Sequence, residues 1–339
     1  MSATFDCAVA IPAHDGLPDV LEAVASALAQ TLPPVEIVVV DDASRDGTGD
    51  EVERRFGGAV RVVRATLGSA AAARNAAWRA SRAPWVGFLD ADDLWFPDKL
   101  AVAARRLAAA PGAGWFFSDG AFRDLDGATL PSWIALYGEL EEGYVGSPLE
   151  QLMEVNFVLT SSVVVRRDLL DSLGGFREDM SHAEDLDLWI GLARRSPAAS
   201  SAQALVRYQH RPGGLTRQVE SRLMGDVALF QRLSADRTLG SGLRRRARHR
   251  VALARYKLAV AALREGRNAD ARRELAGAWL FPERALPVAL ASAASVVPPA
   301  LMRRLRRQHW ATRPVVAPMG RHRRVALRVA AGAASGGHA

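Results

Sequence analysis

The chain has 339 residues, 49% hydrophobic and 24% charged, which suits one large α/β domain with an appendage, or two domains. Its single cysteine, Cys7, lies in an apolar run and excludes an intrachain disulfide and a cysteine-based zinc site. The net charge of +7 is unevenly spread: residues 1–236 carry 22 Lys/Arg against 33 Asp/Glu, and residues 237–339 carry 22 against 4. Such a basic stretch fits an anionic membrane surface, or a solvated helical appendage docked on an acidic domain. It has few aromatics among its arginines and none of the nucleic-acid motifs, so no nucleic acid is expected as a partner. Met1 is followed by polar residues rather than a basic start and an apolar core, which predicts a cytoplasmic location.

Cys7 to Ile11 reads as a buried strand ended by Pro12, and Leu17 to Leu28 as an amphipathic helix. Val35 to Val40 reads as a second strand running into Asp41-Asp42. Ser44 with Asp46-Gly47-Thr48 then makes a turn that starts a helix. Val60 to Val63 is a third strand, the alanine-rich Ser69 to Arg82 a helix, and Pro84 to Leu89 a fourth strand. This alternation predicts a mainly parallel, doubly wound sheet with helices on both faces and its ligand edge at the strand ends. Gly114 to Ser118 is a fifth strand. Residues 119–150, with turn signals and the exposed aromatics Trp133 and Tyr137, read as a substrate-facing loop. Ser161 to Val165 is a strand, and Arg167 to Leu173 a short helix closed by Gly174-Gly175. Glu184 to Arg194 is a helix with Leu186, Ile190 and Ala193 on one face. From about residue 220 the pattern is helical, and the first domain is expected to end near Ser234.

Carboxylates gather where strands end. The apolar run Val86-Gly87-Phe88-Leu89 stops at Asp90-Ala91-Asp92-Asp93, at the edge where open α/β sheets bind ligands. Asp90 and Asp92 lie on one side of an extended segment and together can hold a hard divalent cation and, through it, a diphosphate. Otherwise Asp92 or Asp93 caps the helix announced by Pro97. Pro12 and His14, with Asp41 and Asp42, can frame a nucleoside, because a carboxylate accepts an imide N–H or a ribose hydroxyl; alternatively the aspartates stabilise a turn. Glu184-Asp185 opens a helix, so capping competes there with acid–base work. Trp189, one turn on, packs in the core or offers a face to a sugar.

Five motifs occur in order: Ile11-Pro12-Ala13-His14; Val39-Val40-Asp41-Asp42-Ala43-Ser44; Ala72-Ala73-Arg74-Asn75-Ala76; Phe88-Leu89-Asp90-Ala91-Asp92-Asp93; and Gly174-Gly175-Phe176 with His182-Ala183-Glu184-Asp185. Over about residues 5–217 the chain resembles the inverting family 2 glycosyltransferases of GT-A fold. The resemblance implies donor contacts from Pro12, His14, Asp41, Asp42, Arg74, Asp90 and Ala91, with Asp42 favoured at the base. Asp92 would be the principal ligand of Mg²⁺ or Mn²⁺, and His210 a further one. Asp185 would be the general base, with Glu184 binding the acceptor or orienting that base. The donor would be a nucleotide-sugar, UDP-linked by preference, and the acceptor a glycan or lipid-linked hydroxyl in surface polysaccharide or cell-wall assembly. No Gln-x-x-Arg-Trp follows the Glu-Asp pair, so the resemblance is to non-processive members.

Two rival readings stand beside this one. A sugar nucleotidyltransferase would need a basic phosphate loop after the first strand, and Pro12-Ala13-His14-Asp15-Gly16 lacks a basic residue. A nucleotide-sugar or glycan-binding protein with weak or lost turnover would keep the same fold. The uncharged run Ala285 to Met302, flanked by arginines and holding three prolines, fits a helix lying on a membrane or a docked hairpin better than a span. With it, the expected location becomes peripheral, at the inner face of the cell membrane.

Overall fold

The computed structural model describes residues 5–123, 129–209, 219–278, 289, 292 and 325–328. The chain divides into two compact units, residues 1–180, 184–212 and 323–339 in one, and residues 181–183 and 213–322 in the other.

The first unit begins with alternating strands and helices: β1 (Cys7–Ala13), α1 (Asp19–Leu28), β2 (Glu36–Asp42), α2 (Thr48–Phe56), β3 (Arg61–Ala65), α3 (Ala70–Ala80) and β4 (Trp85–Phe88). β3, β2, β1 and β4 are neighbours in that order and all parallel. Their buried faces are nearly continuous: all of β1 is inaccessible, and Ile37 to Val40 of β2 are at most 2% exposed. A strand covered on both faces needs an unbroken apolar run, which is why these segments are rich in Val, Ile and Ala rather than alternating. Cys7, in β1, is buried, and burial pushes its thiol up to about 12.

Beyond β4 come β5 (Leu94–Trp95), α4 (Lys99–Ala109), β6 (Trp115–Arg123), β7 (Thr129–Leu130), β8 (Gly138–Leu140), β9 (Val145–Gly146), α5 (Leu149–Leu152), β10 (Val164–Arg166), α6 (Arg167–Leu173), α7 (Glu184–Ala193) and β11 (Ala198–Gln209). β10 inserts antiparallel between β4 and β6, β11 runs parallel to β6, and β5 closes antiparallel on β11. The sheet is therefore mainly parallel, as the sequence predicts, with an antiparallel insertion that the sequence does not announce.

Two details of residues 115–150 differ from the sequence expectation. β6 runs on to Arg123 because β11 pairs with it along its whole length, from Trp115 to Arg123. Tyr137 is not an exposed aromatic but 5% accessible, and Trp133 is half-buried. Trp133 packs against Phe122, Tyr137 and Tyr208, and its Nε1 donates to the Phe157 carbonyl at 3.1 Å. Trp189 is fully buried, stacked on Trp115 at 6.3 Å and edge-on to Phe176, so it belongs to the core.

The second unit holds α8 (Val219–Ala235), α9 (Ser241–Arg264) and α10 (Asn268–Ala276). Leu223 of α8 is buried with Ala254 and Leu258 of α9, and Ala259, Ala262 and Leu263 of α9 with Ala271 and Leu275 of α10. The boundary expected at Ser234 falls inside α8, which groups with the helices after it. A last strand, β12 (Val325–Leu327), pairs parallel with β8, so this piece of the expected helical tail is extended and belongs to the first unit. Three residues carry too little periodicity to be read as a strand from sequence. The run 285–302 lies, apart from residues 289 and 292, outside the described residues.

Candidate active site

The parallel register brings the carboxyl ends of β1, β2 and β4 to one edge: Ala13 lies opposite Asp41, and Ala10 opposite Phe88, two residues before Asp90. Pro12 is buried in β1 and His14 is exposed just beyond it. The His14 Nδ1 lies 2.6 Å from the Asp42 carbonyl oxygen, which can only accept, so that nitrogen carries the hydrogen.

Asp41 and Asp42 are both buried and both bind backbone N–H groups. The Asp41 carboxylate accepts from Ser44 at 3.1 Å and Gly49 at 3.2 Å; Asp42 accepts from Leu67 and Gly68. Gly49 is required here, because a Cβ would collide with the Asp41 carboxylate. Turn stabilisation, one of the two roles open to this pair, is thus present. A cavity of about 380 Å³ adjoins it, lined by Asp41, Ser44, Gly47, Asp50, Arg64 and Thr66 among others. A larger one, about 570 Å³, is bounded by Trp78, Arg79, Arg167 and Asp171 and by none of the predicted site residues.

Arg74 joins two of the motifs. Its Nε and Nη2 reach the two Asp90 oxygens at 2.9 and 3.0 Å, a bidentate pair, and Nη1 donates to Glu184 at 3.0 Å. Burial disfavours its charge, but the Asp90 and Glu184 carboxylates more than offset this, so the guanidinium stays ionised. Arg74 is therefore not an ordinary surface arginine: at 8% exposure it ties α3 to the end of β4 and the start of α7. The next residue, Asn75, holds the loop before α7. Its Nδ2 donates to the Phe176 carbonyl, and its Oδ1 accepts from the Phe176 N–H and the Trp78 indole.

The turn after β4 divides its carboxylates. Asp93 is 2% exposed; the Ser161 hydroxyl donates to one of its oxygens and the Gln209 N–H to the other. Burial, then the Asp92 and Asp90 charges, push its carboxyl well above the usual range. The same Ser161 oxygen accepts from the Asp90 N–H at 3.0 Å, and Gln209 Nε2 donates to the Asp92 carbonyl at 3.1 Å. Asp90, Ala91 and Asp92 are half-buried at the rim of this turn. Among the described residues no group of three or more His, Cys, Asp or Glu side chains converges as a metal cage. His210 lies outside the described residues.

Glu184 and Asp185 open α7. Asp185 is half-buried; its Oδ1 accepts from the Leu186 N–H at 2.6 Å and its Oδ2 from Asn156 Nδ2 at 2.8 Å. Burial, helped by the Glu184 charge and opposed by those hydrogen bonds and by Arg74, pushes the Asp185 carboxyl up to about 7. The structure thus brings Arg74, Asp90, Glu184 and Asp185 into one linked group, with Asp92 at the end of the same turn as Asp90. Sequence reading missed Asn156, Ser161 and Gln209. Nothing in their spacing marks them, because each meets the acidic motifs only through the tertiary fold; Asp93 was visible as an acid but not as a buried clamp.

Fold and site define an α/β protein of GT-A type with acidic groups at the carboxyl edge of its parallel strands. The family model described as glycosyl transferase family 2 matches residues 8–171. The succinoglycan biosynthesis protein ExoO of Rhizobium meliloti is 29% identical over 257 residues, covering 72% of this chain and 72% of that protein. ExoU of the same organism is 32% identical over 203 residues, 56% of this chain and 57% of that one. The chain spans only 33% of a 25% identical uncharacterized glycosyltransferase of Rickettsia felis. Among solved structures, residues 1–349 of TarS from S. aureus in complex with UDP-GlcNAc superpose with a TM-score of 0.65 at 18% identity, covering 92% of this chain and 95% of that one. The mannosyltransferase PcManGT of Pyrobaculum calidifontis, in complex with GDP-Man and Mn²⁺, gives a TM-score of 0.57 at 22% identity, covering 91% and 90%. These two show the fold.

Proposed function

We propose that the protein transfers one sugar from a nucleoside-diphosphate donor, UDP-linked by preference, to a hydroxyl of a glycan or lipid-linked acceptor, inverting the anomeric centre, in surface polysaccharide assembly. The observation that carries this is Asp185: a carboxylate fixed by two hydrogen bonds, pushed up to about 7, and linked through Glu184 and Arg74 to the acidic turn after β4. A general base works best when its pKa lies near the working pH. Asp185 takes the proton of the acceptor hydroxyl as that oxygen attacks the anomeric carbon, and the electron pair of the broken C–O bond leaves with the nucleoside diphosphate. One such displacement inverts the centre and needs no protein nucleophile.

At the donor side, the edge of β1 and β2, with Pro12, His14, Asp41 and Asp42, frames the nucleoside, and Arg74 and Asp90 hold the turn at the diphosphate. Asp92 offers a hard oxygen ligand at the rim, which fits Mg²⁺ or Mn²⁺, since such ions take one or two carboxylates with phosphate oxygens and water. A bound cation there would neutralise charge developing on the leaving diphosphate. His210 is proposed as a second ligand. The relatives in succinoglycan synthesis and the nucleotide-sugar complexes of the structural neighbours support the reading.

The test incubates the full chain with UDP-glucose, UDP-GlcNAc and GDP-mannose, with and without Mn²⁺, and follows nucleoside-diphosphate release and thermal stability; a ligand of the folded state raises the latter. Metal-dependent binding and release, with an inverted anomer by NMR, is expected. Binding without turnover under every condition would favour the binding-protein alternative.

A further inference from the structure

The larger cavity of the first unit, about 570 Å³, has a volume that suits a small ligand. Trp78 and Arg79 at the end of α3, Ser81 and Arg82 just after it, and Arg167 and Asp171 of α6 line it. The Arg167 N–H donates to the Pro84 carbonyl at 2.9 Å, which places the cavity at the amino end of β4, away from Asp90 to Asp93.

Three guanidinium groups line this cavity against one carboxylate, and two of them are unanswered. Arg79 donates to Glu178 at 3.2 Å and to the Gly174 carbonyl at 3.0 Å, so its charge is met. Arg167 is half-buried, and its Nε and Nη2 go to the neutral carbonyls of Ala83 at 2.8 Å and Trp78 at 2.9 Å. It is also the first residue of α6, where the helix's own field disfavours a cation. Asp171 stands one turn later on the same helix, at the spacing where opposite charges pair. Yet Arg167 is turned to the carbonyls, and among the described residues Arg167, Asp171 and the exposed Arg82 have no ion-pair partner. The Ser81 side chain lies at the same wall; its Oγ accepts from the Ala83 N–H at 3.1 Å, which leaves the hydroxyl hydrogen to donate.

We propose that this cavity binds a sugar phosphate, a phosphate monoester carried on a hydroxyl-bearing ring. Arg82 brings five N–H donors, Arg167 its remaining Nη1 and Ser81 a hydroxyl, and a monoester offers three terminal oxygens to such donors. Two unanswered guanidiniums suit the near-double charge of a monoester better than the single charge of a carboxylate. Asp171 repels a bare anion and accepts from hydroxyls, so it favours an anion that carries hydroxyls beside it over inorganic phosphate. None of these residues belongs to the group around Asp185, and the proposal does not rest on the transferase reading.

Calorimetric titration of the full chain, without added metal, tests it with glucose 6-phosphate, glucose, inorganic phosphate and glucuronate as probes. Glucose 6-phosphate is expected to bind at least about tenfold more tightly than each of the other three, the discrimination that a hydrogen bond to a charged group brings. Arg82 has no partner to lose, so Arg82→Ala is expected to leave the melting temperature unchanged and to weaken glucose 6-phosphate by about tenfold or more. Asp171→Asn is expected to bring inorganic phosphate close to glucose 6-phosphate. No binding of glucose 6-phosphate at millimolar concentration, or binding unchanged by Arg82→Ala, overturns the site. Glucuronate or inorganic phosphate bound as tightly as glucose 6-phosphate by the wild type overturns the ligand class. Sugar transfer is not read in this titration, so a failure of the transferase reading produces neither result.

Discussion

At the residue scale the site depends on charges that the fold holds part-way out of water. Asp185 carries the sharpest consequence. Asp185→Asn keeps the side-chain volume but cannot take a proton, so turnover is expected to fall by about 10² to 10⁴ while nucleotide-sugar affinity by calorimetry stays close to wild type. Its pH behaviour has a definite sign. The folded carboxyl is pushed up to about 7 and an unfolded aspartate lies near 3.8, so with Asp185 as the proposed base kcat/KM is expected to rise as pH climbs through about 7. The same shift stabilises the fold below about pH 4, and that contribution is lost between there and 7, a slope in melting temperature that Asp185→Asn should remove. Arg74→Ala leaves Asp90 and Glu184 without their shared cation. For a pair this buried the expected loss is about 3 to 5 kcal/mol in urea unfolding.

At the element scale, α3 sets the position of α7. Arg74 and Asn75 stand next to each other on one helix; the first bonds Glu184 at the start of α7 and the second grips Phe176 in the loop before it. That loop must pass close to Asn75, which only glycine allows at 175: its φ is +79°, and a Cβ would meet the Asn75 amide and the Trp78 indole. Gly175→Ala is expected to cost more than about 1 kcal/mol, since it meets both a left-handed backbone and a steric block. A calorimetric melt compared with Gly174→Ala, where φ is +80° but no atom lies within 4 Å of the added Cβ, separates the two contributions.

At the scale of the whole molecule, basic residues gather in residues 237–339, which carry 22 Lys/Arg against 4 Asp/Glu. Arg245 and Arg248 of α9, and Arg272 and Arg273 of α10, are exposed, and no helix among the described residues is long and apolar enough to cross a membrane. Basic residues close to an anionic leaflet contribute about 1 kcal/mol each, screened by salt. The full chain is therefore expected to sediment with vesicles containing phosphatidylserine but not with neutral ones, less so at high salt, and Arg245→Glu with Arg248→Glu to weaken it. Equal binding to neutral vesicles, or none, would make the basic helices a structural appendage.

The sequence by itself determined the parallel core and its acidic edge. A strand buried on both faces must be an unbroken apolar run, and acids that end such runs, at Asp41-Asp42 and Asp90 to Asp93, can only face the strand ends; both facts are local. Trp189 stayed open in the sequence between the core and a sugar-facing role, and only its packing on Trp115 and Phe176 placed it in the core. What the tertiary structure alone decided is pairing across the chain: that Arg74 bridges Asp90 and Glu184, that Ser161 and Gln209 clamp Asp93, that Asn156 holds Asp185, and that residues 325–327 return to the first unit. Those contacts join residues from 16 to 187 positions apart. A hydrogen bond or an ion pair depends on a few ångströms of placement, and neither side-chain type nor spacing along the chain encodes that distance until the sheet has brought the segments together.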